Sequence, residues 1–440
     1  MKYDLKIQGR ALITMNPSRN VIENGVMLIR NGIIEEVGPA EKYINVEVQK
    51  TLDCPHCLVM PGLINTHTHA PMSCFRGIAD DLPLIRWLED YIFPAESRFL
   101  DPDLAYWGTL LSAAEMTLSG TTCFADGYFF ESDVARAVEK SGLRAVLAQG
   151  IIDFPAPGAP NPARNIDIAE EFIQEWKGRS ARIQPALFCH SPYTCSPETL
   201  RKSKQTARRL ETLFFIHLAE VRTEIDTIQK DHGTTPALYL DSLGILDGHT
   251  VAIHCIWLNG RDMEVIAARE TKVSHTPESA MKLASGVPPV IELLEHGVTV
   301  SLGTDGCASN NDLDMFQEMD VATKLQKIHR LNPTVLPAEE VVWMSTMGGA
   351  KALGLEQQIG SLEKGKRADI ILVNIRKPHL MPLYDYYSQI VYAAKGSDVE
   401  TVIVGGEIIL ENRTLVRLDI DEVLSRVISI AASVKKGLKG

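Results

Sequence analysis

Val59-Met60-Pro61-Gly62-Leu63-Ile64-Asn65-Thr66-His67-Thr68-His69 is the stretch on which the architecture turns. An apolar run leads straight into two histidines at i and i+2. In a strand this spacing puts both imidazoles on one face, roughly 6–7 Å apart by strand rise, close enough to converge on one ion. His-x-His alone is a weak signal, but here it has remote partners. These are His217 in Phe215-Ile216-His217-Leu218-Ala219-Glu220, His254 in Val251-Ala252-Ile253-His254-Cys255, and Asp305 in Leu302-Gly303-Thr304-Asp305-Gly306. Each closes an apolar, β-like run.

The middle of the chain repeats that layout. Strand patterns fall at Leu58–Thr66, Thr121–Ala125, Arg144–Gln149, Arg182–Cys189, Leu213–Leu218, Thr250–His254, Thr271–His275 and Val298–Thr304. Helical patterns such as Asp103–Ser119, Ser132–Ser141, Ile166–Lys177 and Glu198–Leu210 separate many of them. This alternation predicts an α/β fold, a (β/α)8 TIM barrel over residues 59–360. Such barrels carry their sites at the C-terminal ends of the strands. His67, His69, His190, His217, His254, His275 and Asp305 all lie at or just after strand ends. Both chain ends read as β-structure instead. Asn31-Gly32 and Gly405-Gly406 are hairpin turn signals between apolar runs. Residues 1–58 and 361–440 are therefore expected to form one small β-sandwich domain, with a terminal helix.

Composition limits the function class. With 45% hydrophobic and 23% charged residues among 440, the profile is that of an ordinary globular protein. A formal net charge of -12 argues against a nucleic-acid partner, because phosphate binding needs a basic face. No run of about 18 apolar residues suggests a membrane span. The eight cysteines are scattered, which fits a reduced, cytoplasmic chain. Cys54-Pro55-His56-Cys57 is the only close pair. Without a second pair at zinc-ribbon spacing, it reads as a structural turn before the first barrel strand.

Three imidazoles and one carboxylate, from His67, His69, His217 and Asp305, suit Zn2+ or Fe2+ better than Mg2+ or Ca2+. An ion with one open position lowers the pKa of water toward ~7. His254 is either a fifth ligand or a group that orients the nucleophile. The fourth strand ends Leu187-Phe188-Cys189-His190 with no bridging lysine, so one metal per chain is expected. Glu220, three residues after His217, is placed to move protons as a general acid and base, and Asp305 is a second relay.

Pro61 to His69 resembles the signature of the amidohydrolase superfamily. The rest of the chain is similar to one branch, the methylthioadenosine/S-adenosylhomocysteine deaminases. That likeness rests on Pro71-Met72 through Arg76-Gly77, on Ala79-Asp80-Asp81-Leu82-Pro83-Leu84 with Trp87-Leu88-Glu89, and on Pro94-Ala95-Glu96. It continues in His190-Ser191-Pro192-Tyr193, Val273-Ser274-His275, Ala308-Ser309-Asn310-Asn311 and Gly360-Ser361-Leu362-Glu363-Lys364-Gly365. The resemblance implies a mononuclear zinc on His67, His69, His217 and Asp305, with Glu220 as proton shuttle. It implies substrate contacts by Glu96 (to ribose hydroxyls), by His190, and at two family arginine positions, where Gln149 and Arg164 stand here. The expected reaction is hydrolytic deamination of an adenine nucleoside to the inosine analogue and ammonia. The alternatives are a guanine, pterin or triazine hydrolase on the same scaffold, or a non-catalytic binding protein. The expected partner is a small nucleoside-like molecule, and a homo-oligomer is common among relatives.

Overall fold

The computed structural model describes residues 2–438. The N-terminal apolar runs form β1 (Tyr3–Ile13), β2 (Val21–Glu23), β3 (Gly25–Arg30), β4 (Ile33–Pro39) and β5 (Val48–Pro61). Asn31 and Gly32 connect β3 to β4 with φ of 50° and 74°, the left-handed pair that a tight hairpin turn needs. The middle of the chain supplies eight parallel strands separated by helices. These are β6 (Leu63–Thr68), β7 (Thr121–Tyr128), β8 (Arg144–Ile151), β9 (Ile183–Cys189), β10 (Phe214–Leu218), β11 (Thr250–His254), β12 (Lys272–His275) and β13 (Val300–Leu302). They form the expected (β/α)8 barrel. The chain then returns in β14 (Ile370–Asn374), β15 (Val399–Val404), β16 (Glu407–Glu411) and β17 (Thr414–Leu415).

Both chain ends share one nine-stranded sheet, ordered β17-β16-β15-β14-β5-β1-β3-β4 with β2 beside β1. A bridge between Ile33 and Arg367, and a hydrogen bond from the Ala368 N–H to the Gly32 carbonyl, bring β4 against the segment that leads into β14. Leu5, Ile7, Met27, Ile29, Val59, Ile370 and Ile403 fill the space between the two layers. The terminal helix, Ile420–Gly437, lays Val423 near Leu110 and Ala114 of the helix Pro102–Leu118. No described helix is long and apolar enough to cross a membrane.

Two local expectations need correction. The strand expected over Leu58–Thr66 is really two, because β5 runs to Pro61 in the small sheet and β6 starts the barrel at Leu63. Gly62 makes the switch. A Cβ there would sit 2.0 Å from Thr122 Oγ1, so the chain crosses only without a side chain. Cys54-Pro55-His56-Cys57 is likewise no simple turn. It lies within β5 where the register against β1 slips, Gly9 facing Cys54 and Ala11 facing Leu58. Cys54 and Cys57 are joined in a disulfide, while the other six cysteines are free and buried.

Inside the barrel, small residues such as Cys123, Ala125, Ala148 and Ala186 alternate with Val146, Phe188, Phe215, Val251 and Ile253. Ala350, Leu353 and Leu355 close the N-terminal end beneath Ile64. The seam between the first and last strands is held largely by side chains. Thr66 Oγ1 lies 2.7 and 2.8 Å from the Ser274 and Ser301 hydroxyls and donates to the Leu302 carbonyl at 2.9 Å. Asn65 donates to Thr304 Oγ1 at 2.8 Å and accepts from the Thr304 N–H at 3.1 Å.

A buried ion pair ties the barrel to the small sheet. Arg144 on β8 donates two hydrogen bonds, of 2.8 and 3.1 Å, to the Asp369 carboxylate just before β14. Asp369 also accepts from the Gly405 N–H at 2.6 Å. Replacing Arg144 by Met strands a buried carboxylate and is expected to cost about 3–5 kcal/mol. Denaturant unfolding of R144M should show an earlier midpoint, partly recovered in R144M/D369L; an unchanged midpoint would rule out this role.

Candidate active site

The five strand-end side chains expected to meet do meet, at the C-terminal mouth of the barrel. His67 and His69 leave β6 on one face with ring centroids 4.7 Å apart. His217 ends β10, and its Nε2 lies 3.3 Å from His67 Nε2. Asp305 follows β13, with Oδ1 3.4 Å from His67 Nε2 and 3.5 Å from His69 Nε2. His254 ends β11 and groups with His67 and His217, their nitrogens within 4.8 Å of one another. His275 stays outside both ligand groups.

The local sequence explains this convergence. Asp305 and His254 have φ of 66° and 71°, left-handed conformations that turn the chain sharply at the strand end. Such positions cost about 1–3 kcal/mol each and persist only where the surroundings enforce them. The glycines beside Asp305 clear the way. A Cβ at Gly303 would lie 2.7 Å from the His67 nitrogen, and one at Gly306 would lie 3.1 Å from His69 Cβ. Phe188 packs beneath, its ring centroid 4.9 Å from that of His217.

The donor set is prepared for a divalent ion. Burial lowers the pKa of His67 and His217 and pushes His254 down to about 3, so the imidazoles are neutral and offer lone pairs. His69 Nδ1 donates to the Gly127 carbonyl at 2.7 Å, which leaves Nε2 free as a ligand. Ser279 Oγ donates to Asp305 Oδ2 at 2.7 Å and fixes the carboxylate plane. The His67–His217, His67–Asp305 and His69–Asp305 separations of 3.3–3.5 Å match edges of a coordination tetrahedron with bonds of about 2.0–2.1 Å. His67 thus joins two donor groups, His67–His69–Asp305 and His67–His217–His254, each with its ligand atoms within 4.8 Å of one another, and this cluster fits a divalent ion.

Glu220 sits over this cluster, its Oε2 3.7 Å from His254 Nε2. Burial, with Asp305 and Glu224 nearby, raises its pKa well above the usual carboxylate range. A group missed in the sequence holds it there. Glu224 accepts from the Ala219 and Glu220 N–H groups at 2.8 and 3.0 Å and pins the turn. A second carboxylate four residues after Glu220 was the available signal. Thr276 was also missed; its hydroxyl lies 2.8 Å from His254 Nδ1 and sets that ring's orientation.

One cavity opens above the cluster and is lined by His69, His217, Glu220, His254 and Asp305. Its walls are apolar: Leu84, Trp87, Phe93, Phe129, Phe154 and Leu283. Glu96 and His190 line the same cavity. Glu96 accepts from the Tyr128 hydroxyl at 2.5 Å, and burial pushes its pKa up to about 7. His190 Nδ1 lies 2.9 Å from Thr194 Oγ1.

Gln149 and Arg164 do not join them. On β8, Val146 and Ala148 point into the barrel, so alternation turns Gln149 toward the helix layer. There its Oε1 accepts from the Glu131 N–H at 3.3 Å, and Gly150 takes the place at the cavity wall. Arg164 lies on the surface, 55% exposed, paired with Asp167 and Glu171 at 3.0 and 3.1 Å. No lysine or arginine lines the cavity among the described residues.

Comparison with known proteins agrees with this geometry. The profile of the Amidohydrolase family matches residues 58–409. A 5-methylthioadenosine/S-adenosylhomocysteine deaminase of Syntrophobacter fumaroxidans is 46% identical over 435 residues, covering 99% of both chains. A 5'-deoxyadenosine deaminase of Methanothermobacter thermautotrophicus is 46% identical over 414 residues, covering 94% of this chain and 95% of its own. The crystal structure of an adenosine deaminase from Xanthomonas campestris with bound zinc superimposes with a TM-score of 0.97 at 34% identity, over 99% of both chains. With a barrel, a strand-end donor set and relatives of full length in agreement, this chain belongs to the amidohydrolase family.

Proposed function

We propose that the protein is a zinc-dependent aminohydrolase that deaminates adenine nucleosides to the inosine analogue and ammonia. The observation that carries this reading is the meeting, in one apolar cavity, of His69, His217, Asp305, Glu220 and Glu96, with His67 in the same donor cluster. Bound to His67, His69, His217 and Asp305, a divalent ion supplies a water-derived nucleophile at neutral pH. The hydrophobic walls hold the purine with its amino-bearing carbon over the cluster. Glu220, whose pKa burial raises, gives its proton to the adjacent ring nitrogen as the attacking oxygen adds, so no free ring anion forms. His254 Nε2, beside Glu220, orients that oxygen. Asp305 relays its proton toward the leaving amine. Glu96, held by Tyr128, takes the ribose hydroxyls, and His190 flanks the base.

The lack of a basic group narrows the substrate. An amino-acid tail, as on S-adenosylhomocysteine, brings a carboxylate that finds no arginine or lysine on the described cavity wall. The aromatic and leucine walls favour an uncharged or small 5' group, as in methylthioadenosine, 5'-deoxyadenosine or adenosine.

These readings lead to measurable outcomes. Glu220→Gln keeps the metal and lowers kcat by roughly 10²–10⁴-fold; elemental analysis with steady-state kinetics checks both, and near-normal turnover excludes Glu220 as shuttle. Glu96→Ala weakens kcat/KM for nucleosides far more than for free bases; equal losses on both would remove Glu96 from ribose recognition. In an ultraviolet assay, kcat/KM for methylthioadenosine should exceed that for S-adenosylhomocysteine by about tenfold or more, since an unpaired buried charge costs at least 1.4 kcal/mol. Equal values would place a cation within reach of the tail.

A further inference from the structure

Outside the barrel mouth, a second group of metal-competent side chains gathers in the small sheet. Cys54, His56 and Cys57 come from β5, and Glu400 comes from β15. Their ligand atoms all lie within 4.8 Å of one another. The slip in β5 is what gathers them. Between the pairs Gly9–Cys54 and Ala11–Leu58, β5 spends two more residues than β1, so Cys54, His56 and Cys57 crowd onto one spot instead of alternating between faces. Gly9 leaves room for this bulge, since a Cβ there would lie 2.5 Å from Val59 Cγ2.

We propose that, with its two cysteines reduced, this cluster binds a borderline-soft divalent cation of the zinc class. Two sulfurs, one imidazole and one carboxylate form a tetrahedral donor set of that preference. The distances suit it. His56 Nε2 lies 3.7 Å from Cys54 Sγ and 3.8 Å from Glu400 Oε2, and Cys57 Sγ lies 3.8 Å from the same oxygen. A tetrahedron with bonds of about 2.0–2.3 Å has edges of about 3.3–3.8 Å. Three of the six edges are therefore already in place, the Cys54–Glu400 and Cys57–His56 separations lie within 4.8 Å, and the sulfur–sulfur edge must open. The frame is held from outside. Asn374 Nδ2 donates to Glu400 Oε1 at 2.5 Å and leaves Oε2 for the ion. The Ile375 N–H donates to the His56 carbonyl at 2.9 Å. His56 and Glu400 are 39% and 27% exposed, which gives the ion a path from solvent.

The same two sulfurs are disulfide-bonded in the structure, so metal binding and oxidation exclude each other. Binding the cation releases the two thiol protons to solvent. In the opposite direction a small-molecule disulfide is the oxidant. One cysteine thiolate attacks it and expels a small thiolate. The second cysteine then attacks the mixed disulfide and expels the other small thiolate, which closes the Cys54–Cys57 bond. The protein loses two electrons, the small disulfide gains two, and the cation leaves.

Titrating reduced, full-length protein with Co2+ tests this. The expected result is a thiolate-to-cobalt charge-transfer band, which nitrogen and oxygen ligands at the barrel mouth cannot produce. About two metal equivalents should bind per chain, falling to about one in Cys54→Ser/Cys57→Ser, with the band lost. Adding a small-molecule disulfide should erase the band and release one equivalent. His56→Asn and Glu400→Gln keep both thiols and guard against misfolding of the serine variant. Each should weaken this site by about tenfold or more, as losing even an outer-sphere partner costs roughly 10–100-fold. No charge-transfer band in the reduced protein, a band that survives in the serine variant, or unchanged affinity in both H56N and E400Q would each overturn the proposal.

Discussion

The Asp305 N–H donates to the His67 carbonyl at 3.0 Å, and this bond across the barrel seam is the constraint on which the site depends. It ties the strand that opens the barrel to the loop that follows the last one. Around it, Asn65, Thr66, Ser274, Ser301 and Thr304 replace a regular ladder with side-chain hydrogen bonds. The seam is thus both the closure of the fold and the base of the donor set. Residues more than two hundred positions apart are held within 3.5 Å because the barrel cannot close in another register.

Electrostatics builds on that closure. Burial lowers the pKa of His67 and His217 and raises that of Glu220, so exclusion of water favours neutral imidazoles and a protonated carboxyl. Each is then aimed by a neighbour: Gly127 for His69, Thr276 for His254, Ser279 for Asp305 and Glu224 for the Glu220 turn. Gly127 lies near the end of β7, Thr276 follows β12, and Ser279 and Glu224 lie in the first turns of the helices Pro277–Lys282 and Arg222–His232, all at the barrel end where an α/β barrel concentrates chemistry.

The small sheet is more than a cover. It takes its strands from both ends of the chain, and the Arg144–Asp369 pair binds it to the barrel wall. β5 carries the cysteine cluster and leads through Gly62 directly into the strand of His67 and His69. The bulge that gathers Cys54, His56 and Cys57 could not be read from the sequence, where the spacing looked like a turn. It is a mismatch in length between two paired strands, and Glu400 is brought to it by sheet order alone.

The alternation of eight strand patterns with helical ones indicated the barrel, and His-x-His after an apolar run, with His217, His254 and Asp305 each closing a strand, indicated metal chemistry. Strand period and strand ends are local properties, and they survive in the linear text. Only tertiary structure decided the fate of Gln149 and Arg164. The first is turned to the helix layer by strand parity against Val146 and Ala148, and the second is drawn to Asp167 and Glu171 on the surface. Which side of a strand faces a cavity depends on register, whereas the acids that capture Arg164 are three and seven residues on. Tertiary structure likewise sets the role of Thr276, whose hydroxyl meets His254 from the next strand end, whereas Glu224 acts locally on the Ala219 and Glu220 N–H groups.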